Sequence, residues 1–227
     1  MNDPALRRDP ATLTPLPVGF HGDGYLLRLV DAIVPACTSF IETGCNVGST
    51  ASYVARTYPG LRISTCEPDP QAFEVAERTL ALCPSATVVN EPSPGFLHAL
   101  FDVEPELREE CPLCWLDAHG HGFRWPLASE VAFLTLRCES AFLLIDDFRV
   151  PGRPEFAFDE YDGQVCGLDL VRPALARGKA YDLYLPSYAE RTSRHHPLVG
   201  TALIVFGVGF AIPNDLAGAF AHERIDT

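Results

Sequence analysis

The stretch "FIETGCNVGSTAS", residues 40–52, carries the reading of the fold. A short apolar run ends in the acidic Glu42. A loop framed by Gly44 and Gly48 around Asn46 follows, and a helical pattern starts directly behind at Ser49. Glycine at a strand-to-helix turn supplies backbone angles closed to other residues and lets the chain pass close to a neighbour. A dinucleotide-binding turn would read G-x-G-x-x-G, whereas here Asn46 holds the second glycine position and Ser49 the third, so the pattern is E-x-G-x-x-x-G.

Outward from this loop, apolar runs alternate with helical segments. "TSFIET" precedes "GSTASYVARTYP", "RISTCEP" precedes "PQAFEVAERTLALCP", "ATVVNEP" precedes "GFLHALF", and "LCWLDA" precedes "PLASEVAFLTLRC". "AFLLIDDF" then runs into a Pro- and Gly-rich stretch. Short apolar strands without in/out alternation are expected where helices cover both faces of a parallel sheet. Before the rhythm, "GYLLRLVDAIVPA" sets Leu26, Leu29, Val30 and Ile33 on one helical face. After it, "AYDLYLPSY" and "GTALIVFGVGF" have no convincing helix between them and are expected to pair as an antiparallel hairpin at the sheet edge. Residues 1–20, with four prolines and no period, read as an irregular arm, and residues 21–227 as one domain.

In an open α/β sheet, ligands bind at the carboxyl ends of the strands, near the point where strand order reverses. The second strand ends in Glu67, about one βα unit after Gly44, within "TCEPDPQAF". A carboxylate there can accept both ribose hydroxyls of an adenosine. The alternative is that Glu67 and Asp69 cap the helix behind them, since acidic groups favour helix N-termini. The E-x-G-x-x-x-G loop resembles motif I of the class I S-adenosylmethionine-dependent methyltransferases. That resemblance implies a Rossmann-like α/β fold, a seven-stranded and mostly parallel sheet with an antiparallel C-terminal strand and helices on both faces. It also implies S-adenosylmethionine as cofactor, bound by Glu42, Gly44, Asn46, Gly48, Ser49 and Glu67. The third strand's loop, "NEPSPG", would lie near the adenine and makes Glu91 and Ser93 candidates.

The fourth and fifth strands end in "LCWLDAHGHG" and "FLLIDDF", which bring Asp117 opposite Asp146 and Asp147 on neighbouring strands. Converging carboxylates repel one another unless a cation or protons compensate, and clustered oxygens suit a hard divalent ion such as Mg²⁺. The arrangement resembles the metal-dependent O-methyltransferases of the catechol and macrocin types. By that resemblance Asp117, Asp146 and Asp147 hold Mg²⁺, with Asp117 also beside the cofactor, and the ion binds the acceptor's hydroxyl. Such a hydroxyl is a poor nucleophile until deprotonated. His119 is the first candidate for the base and His121 the second; each reads equally as a solvated loop residue. Glu130 reads as a helix-surface residue or a support for the ligands, although it could replace one of the three Asp.

A formal charge of −13, from 17 Lys plus Arg against 30 Asp plus Glu, disfavours nucleic acid and anionic bilayers as partners. No apolar run reaches the roughly 20 residues of a membrane helix, and the N-terminus lacks the apolar middle of a secretory signal, so a cytoplasmic location is expected. The eight cysteines sit mostly in apolar segments and are expected as free thiols, Cys111 and Cys114 included. One basic patch stands out: Arg191, Arg194, His195 and His196 in "SYAERTSRHHPLVG". It reads either as a solvated hairpin loop or as a holder for a phosphate or carboxylate on the acceptor. The expected activity is transfer of a methyl group to a hydroxyl of a small molecule: a sugar, nucleotide-sugar or natural-product scaffold. Homo-oligomerisation is compatible with this. A metal-independent methyltransferase using His119 alone, and a nucleotide-binding protein without methyl transfer, are the alternatives.

Overall fold

The structure, a computed structural model, describes residues 13–118 and 125–227. Five strands carry the expected rhythm: β1 (Ser39–Thr43), β2 (Arg62–Cys66), β3 (Ala86–Val89), β4 (Leu113–Leu116) and β5 (Ala141–Ile145). Helices α1 (Gly24–Ile33), α2 (Ser49–Thr57), α3 (Pro70–Leu80), α4 (Ser93–Val103) and α5 (Leu127–Arg137) precede and separate them. A two-stranded hairpin, β6 (Glu160–Tyr161) with β7 (Gln164–Val165), and a single turn, α6 (Leu168–Val171), occupy the Pro- and Gly-rich stretch. Strands β8 (Ala180–Pro186), β9 (Ala202–Phe206) and β10 (Phe220–Asp226) complete the chain.

The main sheet has eight strands in the order β10-β8-β9-β5-β4-β1-β2-β3, one more than expected. β1 to β5 are mutually parallel, and β9 lies antiparallel between β5 and β8. The expected pairing of the last two apolar runs therefore holds, but the hairpin is not the edge: β10 covers β8 in antiparallel register, Ile225 opposite Tyr181. β10 offers no apolar run to read, because only Phe220 and Ile225 of "FAHERID" are buried. Its exposed face is polar, with His222 and Arg224 both reaching Asp182.

The absence of in/out alternation has a direct cause. Leu113, Trp115, Phe142 and Leu144 face one apolar layer with Phe20 and the α1 residues Leu26, Leu29, Val30 and Ile33. Cys114, Leu116, Leu143 and Ile145 face the other, with Val131 and Leu134 of α5 and Phe101 of α4. Helices cover both layers, so every position of β1, β4, β5 and β9 is buried. Truncating a large side chain such as Phe142 would cost about 3–5 kcal/mol. All eight cysteines are free thiols. Among the described residues no helix is long and apolar enough to cross a membrane.

Strand order reverses between β1 and β4: the chain winds outward from β1 through β2 to β3, then crosses to the other side of β1. The switch point thus sets Gly44 beside Asp117, whose amide donates to Thr43 O at 3.1 Å.

Candidate active site

The β1–α2 loop is held in a conformation few sequences can adopt. Gly44 and Gly48 have φ of +76°, and Asn46, among the non-glycine residues most tolerant of this region, has +52°. A Cβ on Gly44 would lie 2.6 Å from Asp117 O and 2.7 Å from Ala118 Cα, so glycine is what allows the first and fourth strand ends to close on each other. The amides of Gly44 and Cys45 both donate to Cys66 O, at 3.1 and 2.9 Å, and that of Asn46 donates to Glu67 Oε2 at 2.7 Å. Gly48, at the N-cap of α2, has no side chain to accept the helix's first amides, which makes that end a natural place for a ligand's anionic group.

Of the two acidic residues, only Asp69 caps the helix, and Glu67, which does not line the cavity described below, is turned to the glycine loop. Asp69 caps α3, accepting from Gln71 N at 2.8 Å and Ala72 N at 3.1 Å. Glu67 is buried and turned to the loop, its Oε1 accepting from Asp69 N at 2.9 Å. Each carboxylate oxygen offers two lone pairs, an accepting capacity that suits the hydroxyls of a ribose. Ser93 is the buried first residue of α4 and stands apart from the cavity described next. Glu91 is exposed.

A cavity of about 290 Å³ opens above the switch point. Glu42, Cys45, Asn46, Val47, Ser49 and Thr50 form one wall, Asp117 joins from β4, and Thr14, Leu16, Val18, His21 and His196 close the other side. The N-terminal segment is fastened there by Leu16 N donating to Ser49 Oγ at 2.9 Å. Glu42 is buried and accepts from Thr65 Oγ1 at 2.7 Å. Burial pushes its carboxyl up to about 8; the Thr65 hydroxyl opposes this, while Asp117 and Glu67 add repulsion. The loop that lets backbone approach a ligand, the acidic end of β1 and Asp117 thus share one concave surface, as a cofactor's polar end requires.

Beside it, ligand oxygens of Asp117, Asp146 and Asp147 all lie within 4.8 Å of one another. Asp146 is 3% exposed, and Asp147 sits in a left-handed turn at φ +48°. These three carboxylates, two from one strand end and one from its parallel neighbour, offer the hard oxygen donors that divalent cations prefer. His21 Nε2 meets Asp146 Oδ2 at 2.6 Å. Burial alone would lower the His21 pKa, but Asp146, reinforced by Asp117 and Asp147, raises it to about 9. Glu130 is not on the helix surface: it is 1% exposed and faces a small space shared with Asp146, Trp125 and Cys166. His119 and His121 lie outside the described residues.

His21 sits in "GFHGDGYL", a stretch that sequence reading marks only as a wall of the acceptor's entrance, without singling out the imidazole. Phe20, His21 and Gly22 have successive φ of +50°, +57° and +68°. For a non-glycine residue this costs about 1–2 kcal/mol, and it needs anchors on both sides. Phe20 is fully buried against Phe40 and Trp115, and His21 O accepts from Ser193 Oγ. Asp23 caps α1 through Tyr25 N and Leu26 N, and accepts from Tyr188 OH at 2.9 Å and Thr192 Oγ1 at 3.2 Å. The segment after β8 is thereby tied to the start of α1. The usable signal is the pair of glycines around one His, Gly19-Phe-His-Gly22, immediately before a capping Asp.

No family model matches the chain, and no curated protein matches it in sequence. Solved structures do match its fold. A candidate O-methyltransferase from Klebsiella pneumoniae superposes at TM-score 0.57 with 17% identity, covering 92% of each chain. The O-methyltransferase from Bacillus cereus in complex with S-adenosylhomocysteine gives 0.54 at 16% identity, covering 89% of this chain and 84% of that one. The O-methyltransferase TomG from Streptomyces achromogenes, involved in tomaymycin synthesis and bound to S-adenosylmethionine, gives 0.52 at 20% identity, covering 81% and 78%. With the sheet order, the glycine loop at the switch point and these superpositions together, the chain has the Rossmann-like fold of the class I S-adenosylmethionine-dependent methyltransferases.

Proposed function

We propose that this protein is an S-adenosylmethionine-dependent O-methyltransferase that acts on a hydroxyl of a small molecule with the help of Mg²⁺. The observation that carries the reading is the Asp117, Asp146 and Asp147 cluster directly beside the cavity formed by the glycine loop. Glu42, Asn46, Ser49 and the α2 N-terminus would take the cofactor's amino-acid end, and Glu67 its ribose. Asp117, Asp146 and Asp147 would hold the metal, which when bound lowers the pKa of the acceptor hydroxyl and fixes its oxygen. His21 keeps Asp146 oriented; its Nε2 is committed to that carboxylate, so it positions a ligand rather than taking the acceptor's proton. The base is then His119 or His121, two and four residues beyond Asp117. The segments before α1 and before β9 would line the acceptor's approach and help to hold it in line with the methyl group.

The decisive experiment pairs calorimetry with turnover. S-adenosylhomocysteine is expected to bind the wild type and the Asp146→Asn/Asp147→Asn variant alike, while methyl transfer to a hydroxyl acceptor is abolished in the variant and by EDTA. Absence of binding at millimolar ligand removes the cofactor, and full activity in the variant removes the metal.

A further inference from the structure

The basic patch "RTSRHH" reaches the cavity through His196 and is fastened in place rather than left as a free hairpin loop. His196 lines the cavity with Asp117 and His21, its ring 4.6 Å from that of His21. Ser193 Oγ accepts the amides of His195 and His196, both at 3.1 Å, while donating to His21 O. Thr192 Oγ1 accepts from Gly24 N at 2.7 Å. On its far side the segment is pinned by Ala157 N donating to Leu198 O at 2.8 Å. Two hydroxyls therefore fix the loop against the turn that aims His21 at the carboxylates, and one backbone bridge holds its far side.

The loop's charge has no internal use among the described residues. Arg191 and Arg194 are exposed and have no carboxylate partner there, and the Arg191 side chain spends only its Nε, on Ser193 O at 3.0 Å. Its remaining guanidinium donors form the planar fork that fits an oxyanion. The chain's net charge of −13 would repel an anionic acceptor unless a local cationic rim offset it. We infer that Arg191, Arg194, His195 and His196 form an oxyanion subsite for the acceptor, so that the hydroxyl to be methylated belongs to a small molecule carrying a phosphate or a carboxylate. This rests on the proposed function for the word acceptor, and on the loop alone for the anion.

The test titrates inorganic phosphate and, separately, acetate into the intact chain saturated with S-adenosylhomocysteine, at ionic strength held constant with potassium chloride. The ring resonances of His195 and His196 are followed by NMR. Saturable shifts in the millimolar range are expected, weakened at least tenfold in Arg191→Ser/Arg194→Ser, with S-adenosylhomocysteine affinity within twofold of wild type. Saturation by phosphate alone assigns a phosphorylated acceptor, and saturation by acetate alone or by both assigns a carboxylated one or either. A linear response, or equal saturation in the variant, overturns the subsite. If S-adenosylhomocysteine itself does not bind, the cofactor assignment fails while the same phosphate titration on the unliganded chain still decides the anion site.

Discussion

Glu42 shows how one residue's burial converts into a pH-dependent property. Its folded carboxyl stands near 8 against an ordinary 4.5, chiefly through burial. Between those two values the folded chain keeps a proton that the unfolded chain releases, so this group makes stability fall as pH rises through that window, with the full cost present above about 8. A tenfold difference in proton affinity between the two states is worth about 1.4 kcal/mol. Glu42→Gln keeps an acceptor for the Thr65 hydroxyl and removes the titration. Thermal unfolding of the metal-free protein is expected to show the variant gaining on the wild type, by on the order of a few kcal/mol, as pH rises from about 5 to about 9. Parallel curves for the two proteins would refute the assignment. Glu42 is legible as a site residue from its place before the glycine loop, and its protonation is not, because burial depends on β2 and β4, which flank β1. His21 marks the opposite limit. Its partner Asp146 is 125 residues away, and no local pattern reports a contact of that span.

At the scale of elements, the loop between β1 and α2 carries more than its own geometry, because its glycine is also the packing surface of the next loop. Gly44 and Gly152 share a left-handed backbone, φ +76° and +71°, but a Cβ at Gly152 would meet nothing within 4 Å. Gly152→Ala should therefore cost only the backbone strain, about 1 kcal/mol. Gly44→Ala adds a collision with Asp117 O, and since Asp117 is a proposed ligand, the shift that relieves it moves the carboxylate cluster. Chemical denaturation is expected to place Gly44→Ala at about 2–4 kcal/mol below wild type, with weaker S-adenosylhomocysteine binding, and Gly152→Ala only about 1 kcal/mol below it, with binding unchanged. Equal losses would show that Gly44 is turn chemistry alone. The βα rhythm makes this loop readable, since strand ends and helix starts are local signals. The β10 edge is not readable, because a half-exposed strand with two buried residues has no apolar signature. Glu130 escapes the sequence for a related reason: a lone acid on an amphipathic helix gives no local sign of whether it faces solvent or Asp146.

The site is assembled from segments far apart in the chain. The cavity takes four side chains between Thr14 and His21 before α1, six between Glu42 and Thr50 in the first βα unit, Asp117 from the end of β4 and His196 from the segment before β9. Above the apolar layer that buries Phe20 beside His21, these pieces are cross-linked by single hydrogen bonds, Leu16 to Ser49, His21 to Asp146 and Ser193 to His21. A ligand that bridges the walls acts as a cross-link between segments far apart in sequence, and it binds only the folded chain. By mass action, S-adenosylhomocysteine at about 100 times its dissociation constant should stabilise the fold by about 2.7 kcal/mol, which for a chain of this size is a rise in Tm of about 5–10 °C. The gain should persist in Asp146→Asn/Asp147→Asn, whose cofactor walls are intact, and shrink in Gly44→Ala, whose loop is displaced. A gain lost in the first variant and kept in the second would put the ligand on the carboxylates instead of the glycine loop, reversing the division of labour between the two halves of the site.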